Sequence, residues 1–410
     1  MKFSKSSQLF LVSSIGLFVA TLLMGCALTT IDLVFVTSAS GSGTSSDGAI
    51  YTLAVDSRSG ALRPVAATVS SGGVNPVSMA TTPDYANLYV ANQGDGSIVH
   101  FAIGLNGALT KKDAESSLSP APVAITVNNA GTYLYAILGP SGKAVLQPFP
   151  LKSDGTLGPP TAPANGVVLS VPGYPNDVII PTGVTVLADN GTVYVAAYDQ
   201  SAYNPGGSTP STANPGWVFG FTVGSDGSLT AAKNSPYEAG VKPSALAADP
   251  TNRFLYVTDY ASNELIGYTI LDGSTLNFLS NGPFKTGNDP SAIVIDPRGK
   301  FIYVTNALDS TVSGYAITLA TGTPTVAIGA GGTQGDVTDT DPVAIAVDPA
   351  LGRFVYTANY LGNSVSGFRL DPTAGSVSPN QASPYPISGS GPTALVIVPH
   401  GNHATQSVTQ

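Results

Sequence analysis

The sequence predicts an all-β fold: a seven-bladed β-propeller of four-stranded antiparallel blades, with the ring closed by pairing the C-terminal strand with the N-terminal blade. Three observations predict it. An opening proline recurs as Pro76, Pro122, Pro181, Pro243, Pro290, Pro342 and Pro392, at spacings of 46 to 62 residues that match one blade per repeat. An aromatic residue recurs as Phe35, Tyr89, Tyr135, Tyr194, Tyr256, Tyr303 and Tyr356. The two series are out of phase. The chain begins with an aromatic strand that lacks its proline strand and ends with a proline strand, Pro392 to Val398, that lacks its aromatic one. Pairing these two orphans removes both open sheet edges.

The repeating unit is clearest at 289–317. Asp289-Pro290 opens an apolar run through Ala292, Ile293, Val294 and Ile295, which turns at Asp296-Pro297-Arg298-Gly299. Phe301 to Thr305 forms a second run, Asn306 breaks it, and Thr311 to Ile317 alternates as a third. β-Branched and aromatic residues between turn residues read as short antiparallel strands. Proline fits the first position of a strand, where no ladder donor is needed. In Asp-Pro-x-Gly the proline presets φ for a type I turn and the glycine relieves its exit. A fourth strand comes from the looser segment that follows.

Taken in order, residues 1–25 read as a signal peptide, with Lys2 and Lys5 ahead of an apolar run from Leu9 to Leu23. That run is short for a membrane span of ~20 residues. Leu23-Met24-Gly25-Cys26 resembles the bacterial lipobox, whose cysteine becomes the lipidated first residue; a plain signal peptide or an uncleaved anchor is the alternative. Cys26 is the only cysteine, so the chain has no internal disulfide to form. Lipidation predicts a membrane partner and a place in the bacterial cell envelope. Ala27 after the cysteine favours the outer membrane in a Gram-negative host. Residues 26–34 are then a tether, 35–399 the propeller and 400–410 a tail.

Blade one takes Phe35-Val36-Thr37, Gly48 to Val55, and a strand after Gly60-Ala61-Leu62. The Gly-x-Leu signature returns at Gly107, Gly155 and Gly227, each a tight turn into an outermost strand. The proline strand is expected innermost, buried between neighbouring blades. The repeated aromatics pack blade against blade, each worth roughly 1.5–3 kcal/mol when fully buried. No blade has enough such surface to fold alone. Three segments exceed the repeat: 158–180, 198–216 and 322–341. Long connections of this kind are commonly functional or mobile.

Composition fits. Charged residues make up only 10%, against 46 glycines and 32 prolines, while 43% hydrophobic residues are ample for a core. Loss of Lys2 and Lys5 with the signal peptide moves the net charge from −9 to −11. So acidic a surface excludes nucleic acid as the expected partner.

At Tyr89-Val90-Ala91-Asn92, Tyr256-Val257-Thr258-Asp259, Tyr303-Val304-Thr305-Asn306 and Tyr356-Thr357-Ala358-Asn359 the repeat resembles the YVTN-type propellers. From about residue 30 onward the pattern resembles the lactonase family of seven-bladed propellers, which includes sugar-lactone hydrolases and a fungal muconate cycloisomerase. The resemblance implies lactonase activity, as in 6-phosphogluconolactonases, with His, Arg or Glu side chains at the channel mouth. This chain has three histidines, His100 in a third strand and His400 and His403 in the last turn and tail, and three glutamates, Glu115, Glu238 and Glu264. None of the histidines belongs to the expected mouth. No His-x-x-x-His, Gly-x-Ser-x-Gly or phosphate-cradling loop occurs.

What converges at one mouth is a polar ring. The positions before the prolines supply Asn75, Lys242, Asp289 and Asp341, and the turns after the second strands supply Asn92, Asp199, Asp259, Asn306 and Asn359. Two roles are open to it: local bonding to turn backbone, or recognition of a polyol, a sugar or a cation. No cofactor is expected, although Asp336, Asp339 and Asp341 offer oxygen ligands of the type calcium takes. The leading expectation is a binding or interaction module for a small molecule or a protein, and the competing one is a lactone hydrolase. A perturbed acid or base beside a cation at the mouth favours the hydrolase; a mouth of amides and hydroxyls favours binding.

Overall fold

The computed structural model describes residues 29–40, 47–139, 143–160, 166–173, 177–200, 215–326 and 335–408; the signal-peptide and Cys26 expectations lie outside the described residues. The strands form seven separate antiparallel sheets arranged as the blades of one ring. In the sixth blade the innermost strand is Pro290–Ile295, followed outward by Phe301–Asn306, Thr311–Ile317 and Pro324–Val326. These bounds lie within two residues of the runs read from sequence. The fourth position departs from a single strand. In blades one, four, five, six and seven two short strands share it, such as Pro324–Val326 and Asp336–Val337, both paired to Thr311–Ile317.

The ring closes as the phase offset requires. Strand Ser390–Pro399 pairs with Thr30–Ser40, from Asp32 opposite Pro399 to Ser40 opposite Ser390. Pairing starts at Thr30, five residues before the expected start at Phe35, because Asp32, Leu33 and Val34 also find partners in both neighbouring strands. Beyond Pro399 a short helix, Gly401–Thr405, packs back with His403 buried.

Burial differs from expectation in one respect. Second strands such as Phe354–Asn359 and Phe301–Asn306 are buried at every residue, whereas innermost strands such as Pro342–Val347 alternate buried with partly exposed residues along the channel. The second strand has neighbours on both edges and on both faces; the innermost strand has one edge on the channel.

The repeated tyrosines join blade to blade. Tyr256, Tyr303 and Tyr356 are fully buried, and their hydroxyls donate to the carbonyls of Gly322, Gly375 and Gly60 in the next blade, at 2.6, 2.8 and 2.7 Å. Tyr356 thus bonds across the closure to blade one. Gly322 turns at φ +74°, and a Cβ there would lie 2.4 Å from the Phe254 ring, so only glycine fits the turn against that ring. Opposite each tyrosine the third strand carries glycine for the same reason: a Cβ on Gly367 would meet the Tyr356 ring at 2.7 Å. His100 takes this position in blade two, stacks on Tyr89 at 5.0 Å and bonds Asn87 and Asp113 at 2.8 and 2.5 Å. It is a satisfied core residue.

Candidate functional site

The upper end of the channel is where innermost strands begin and second strands finish. The register puts Pro76 opposite Asn92, Ile179 opposite Asp199, Pro243 opposite Asp259, Pro290 opposite Asn306 and Pro342 opposite Asn359. The polar ring expected from sequence therefore stands at one end. Its members have different surroundings.

Asn92, Asp259, Asn306 and Asn359 are fully buried. Asn306 accepts from the Gly287 amide at 3.1 Å and donates to Thr311 and Ser313, both at 2.9 Å. Asn359 donates to Ser364 and Ser366 at 3.0 Å, and Asn92 donates to Ser97 at 3.1 Å. Asp259 accepts from the Val241 and Lys242 amides at 2.7 and 2.9 Å. Asp259 and Asn306 thereby pin the loop entering an innermost strand to the end of the second strand, while Asn359 and Asn92 tie the second strand to the start of the third. Asp289 and Asp341 are half-buried just before their prolines, with φ of 54° and 60°. Their carbonyls accept from Ala307 and Tyr360 at the start of the facing turns, and burial pushes the Asp341 carboxyl up.

Lys242 and Asp199 sit in a different arrangement, at the junction of blades four and five. The Lys242 ammonium lies over the Tyr260 ring at 4.7 Å and the Tyr198 ring at 5.6 Å. Its backbone is held by Asp259 on one side and by the Tyr260 amide, which donates to its carbonyl at 2.9 Å, on the other. The Gln200 amide donates to the Val178 carbonyl at 2.9 Å, which lays residues 177–179 beside 198–200. Asp177 and Asp199 thereby come together, and a hydrogen bond between the two carboxyls, with Asp199's charge adding to it, raises the Asp177 pKa. Two adjacent carboxylates hold one proton more tightly than either alone, because both cannot ionise freely. The mouth therefore carries an acid–base pair, a cation and two aromatic faces. Sequence reasoning found Asp199 and Lys242 but not Asp177, Tyr198 or Tyr260. The available signal was that Asp177 and Tyr198 belong to the two overlong segments, 158–180 and 198–216.

Next to this cluster, between blades five and six, is an open cavity of about 690 Å³ whose lining includes Asn263, Lys285, Asn288, Asp309 and Thr311. Lys285 pairs with Glu264 at 2.6 Å, and Asn288 donates to Asp309 at 2.9 Å. The turn from Tyr260 to Asn263 borders both features. At the lower end the channel opens into about 550 Å³ of largely apolar space, with Tyr85, Ile345, Val347, Leu395 and Ile397 in its wall.

Asp336, Asp339 and Asp341, considered for calcium, do not form a single coordination group among the described residues. Asp339 instead accepts from the Ser364 hydroxyl at 2.8 Å and caps the Thr340 amide. Among the described residues the group of three possible ligands that does come together is Asp32, Asp348 and His403.

A family model described as "Lactonase, 7-bladed beta-propeller" matches residues 34–166 and 181–405. No curated protein matches the chain. Among solved structures, the periplasmic gluconolactonase of Pseudomonas aeruginosa is similar at 20% identity and TM-score 0.72, over 90% of this chain and 99% of that one. A protein from Lactobacillus plantarum is similar at 18% identity and TM-score 0.71, over 90% and 100% of the two chains. A Bacteroides uniformis protein provisionally assigned as a 6-phosphogluconolactonase is similar at 18% identity and TM-score 0.70, over 90% and 99%. At these identities the likeness is one of fold.

Proposed function

The chain belongs to the lactonase family of seven-bladed β-propellers, and from that premise we propose that it hydrolyses a lactone at the upper mouth of the channel. The observation that carries this reading is the Asp177–Asp199 carboxyl contact at the same mouth as the Lys242 ammonium, which lies over the ring of Tyr198, the chain neighbour of Asp199. A carboxylate of the pair takes a proton from water as its oxygen adds to the lactone carbonyl carbon. The Lys242 ammonium favours the negative charge that develops on the carbonyl oxygen. The ring C–O bond then breaks, and the proton held by the pair passes to the departing alkoxide, leaving a hydroxy acid. The faces of Tyr198 and Tyr260 keep the ammonium in place. Net charge −9 favours a neutral lactone over a phosphorylated one, and the proposed lipid anchor at Cys26 is consistent with a substrate met outside the cytoplasm.

A second reading, recognition of a polyol or sugar without chemistry, has its own observation in the cavity lined by Asn263, Asn288, Asp309 and Thr311. A panel of neutral sugar lactones, followed by acid release, separates the two. The hydrolase reading expects turnover that falls about 10²–10⁴-fold in Asp199→Asn and about 10²–10³-fold in Lys242→Met, with folding intact. Tight sugar binding by a protein that turns over no lactone would establish the second reading instead.

A further inference from the structure

Asp32, Asp348 and His403 meet at the seam where the ring closes. Asp32 belongs to the first strand, Thr30–Ser40; Asp348 begins the turn after the innermost strand of blade seven, Pro342–Val347; His403 belongs to the terminal helix, Gly401–Thr405. The His400 amide donates to the Ile31 carbonyl at 2.7 Å, which seats that helix beside the first strand. The His403 Nε2 lies 3.1 Å from Asp348 Oδ1 and 3.4 Å from Asp32 Oδ1. Both aspartates are fully buried and the histidine is 4% exposed.

The cluster satisfies its polar groups only in part: His403 Nε2 and Asp348 Oδ1 are within hydrogen-bond distance at 3.1 Å. Among the described residues neither oxygen of Asp32 has a hydrogen-bond donor. Asp348 is fixed by the Ala350 and Arg353 amides, at 2.9 and 3.1 Å. The Arg353 guanidinium donates to the Ser57 carbonyl at 3.2 Å, and its charge acts on Asp32 without a hydrogen bond to it. His403 Nδ1 lies 2.7 Å from the Gln406 amide oxygen, which can only accept. Nδ1 therefore carries a hydrogen, and Nε2 faces two carboxylates. The buried point between Nε2 and the two carboxylates takes a positive species, either a second imidazole hydrogen or a metal ion. A hydrogen bond on the far nitrogen is also how proteins orient a metal-binding histidine.

The donor types and their spacing together narrow the species, with all three ligand atoms within 4.8 Å of one another. In a tetrahedral zinc site with bonds of 2.0–2.1 Å, neighbouring ligand atoms stand roughly 3.3–3.4 Å apart, and the two measured separations from Nε2 bracket that value. An imidazole donor separates this set from calcium and magnesium sites, which are built of oxygen. We propose that Asp32, Asp348 and His403 bind a divalent transition metal of the zinc class, which clamps the N-terminal strand and the C-terminal helix to blade seven. Three protein ligands leave a fourth position for water. The donors come from residues 32, 348 and 403, which only ring closure brings together, so the metal is a lock on the closed ring. Tyr85 lines the lower opening, and its hydroxyl pKa is raised by burial and then by the charges of Asp348 and Asp32.

The test uses zinc alone, with the protein purified without chelator and then stripped. The wild type should take up one zinc per chain, and saturating zinc should raise its melting midpoint by at least about 2 °C. His403→Ala should lose both responses. Asp32→Asn keeps the shape and removes a buried carboxyl that has no hydrogen-bond partner among the described residues, so in EDTA it should melt at or above the stripped wild type, while losing the gain from zinc. That crossing of the order between EDTA and zinc is independent of folding defects and of any lactonase activity. Failure of the stripped wild type to bind zinc or manganese, or binding that persists unchanged in both variants, would overturn the proposal.

Discussion

A tyrosine ring that fills the space between blades differs from a tyrosine hydroxyl that reaches the next blade, and this ring of blades contains both kinds. Tyr303 has both, with its hydroxyl on the Gly375 carbonyl at 2.8 Å. Tyr135 is equally buried, but its hydroxyl has no hydrogen-bond partner among the described residues. Tyr303→Phe should therefore cost about 0.5–1.5 kcal/mol of unfolding free energy, while Tyr135→Phe should be neutral or stabilising. Denaturant melts of the two variants check this, and equal losses would show that the hydroxyls are irrelevant. The sequence marked all these tyrosines by their period, because a repeated apolar position is visible as a pattern. It could not distinguish them by partner, since the accepting carbonyl is backbone that any residue supplies. Asn306 and Asn359 pose the same difficulty. Their place at the mouth was legible, whereas the direction of their amides, into Thr311, Ser313, Ser364 and Ser366, depends on turn geometry.

At the scale of elements, the three inner strands of each blade were legible because apolar alternation and turn residues coincide there. Pro290–Ile295, Phe301–Asn306 and Thr311–Ile317 follow the runs read from sequence. The fourth position was not, since strands as short as Asp336–Val337 carry too few residues for a period. The candidate site depends on two such irregular stretches, the one leading into Ile179–Val186 and the one leaving Thr192–Asp199. Their juxtaposition sets a pH dependence. Folded Asp177 holds its proton more tightly than an aspartate at the ordinary value of 3.8. That contribution to stability is therefore present at low pH and lost as pH rises from the unfolded value through the raised one. Activity follows the same proton, because the pair must hold it to protonate the departing alkoxide. The alkaline limb of kcat/KM set by Asp177 should lie above the ordinary aspartate range and move to lower pH in any residual activity of Asp199→Asn, which leaves Asp177 without its neighbour. An alkaline limb unmoved by that substitution would remove Asp177 from the mechanism.

For the whole molecule, closure follows from the arithmetic of the repeat, in which seven prolines and seven aromatics are out of phase by half a blade. That relation is visible in one dimension, so the closing partner was legible before any geometry. The packing of the last residues was not. Residues 400–410 read as a tail because they carry no period, yet Gly401–Thr405 returns to the seam and buries His403 against Asp32 and Asp348. Two truncations separate what the strand contributes from what the helix contributes. Removing residues 391–410 takes away nearly all of the strand that covers Thr30–Ser40 and leaves a fully buried second strand with an open edge. In a repeat ring, each blade is stable only through its neighbours. The loss should therefore abolish the single cooperative melt and promote self-association through the exposed edge. Removing only 400–410 keeps all the paired residues of that strand and takes away His403, so the ring should still melt cooperatively but with no gain from zinc. Calorimetry with and without zinc, together with light scattering, reads both outcomes. If the longer truncation melts like the intact protein and stays monomeric, the closing strand is not what holds the ring, and stability must reside within the individual blades.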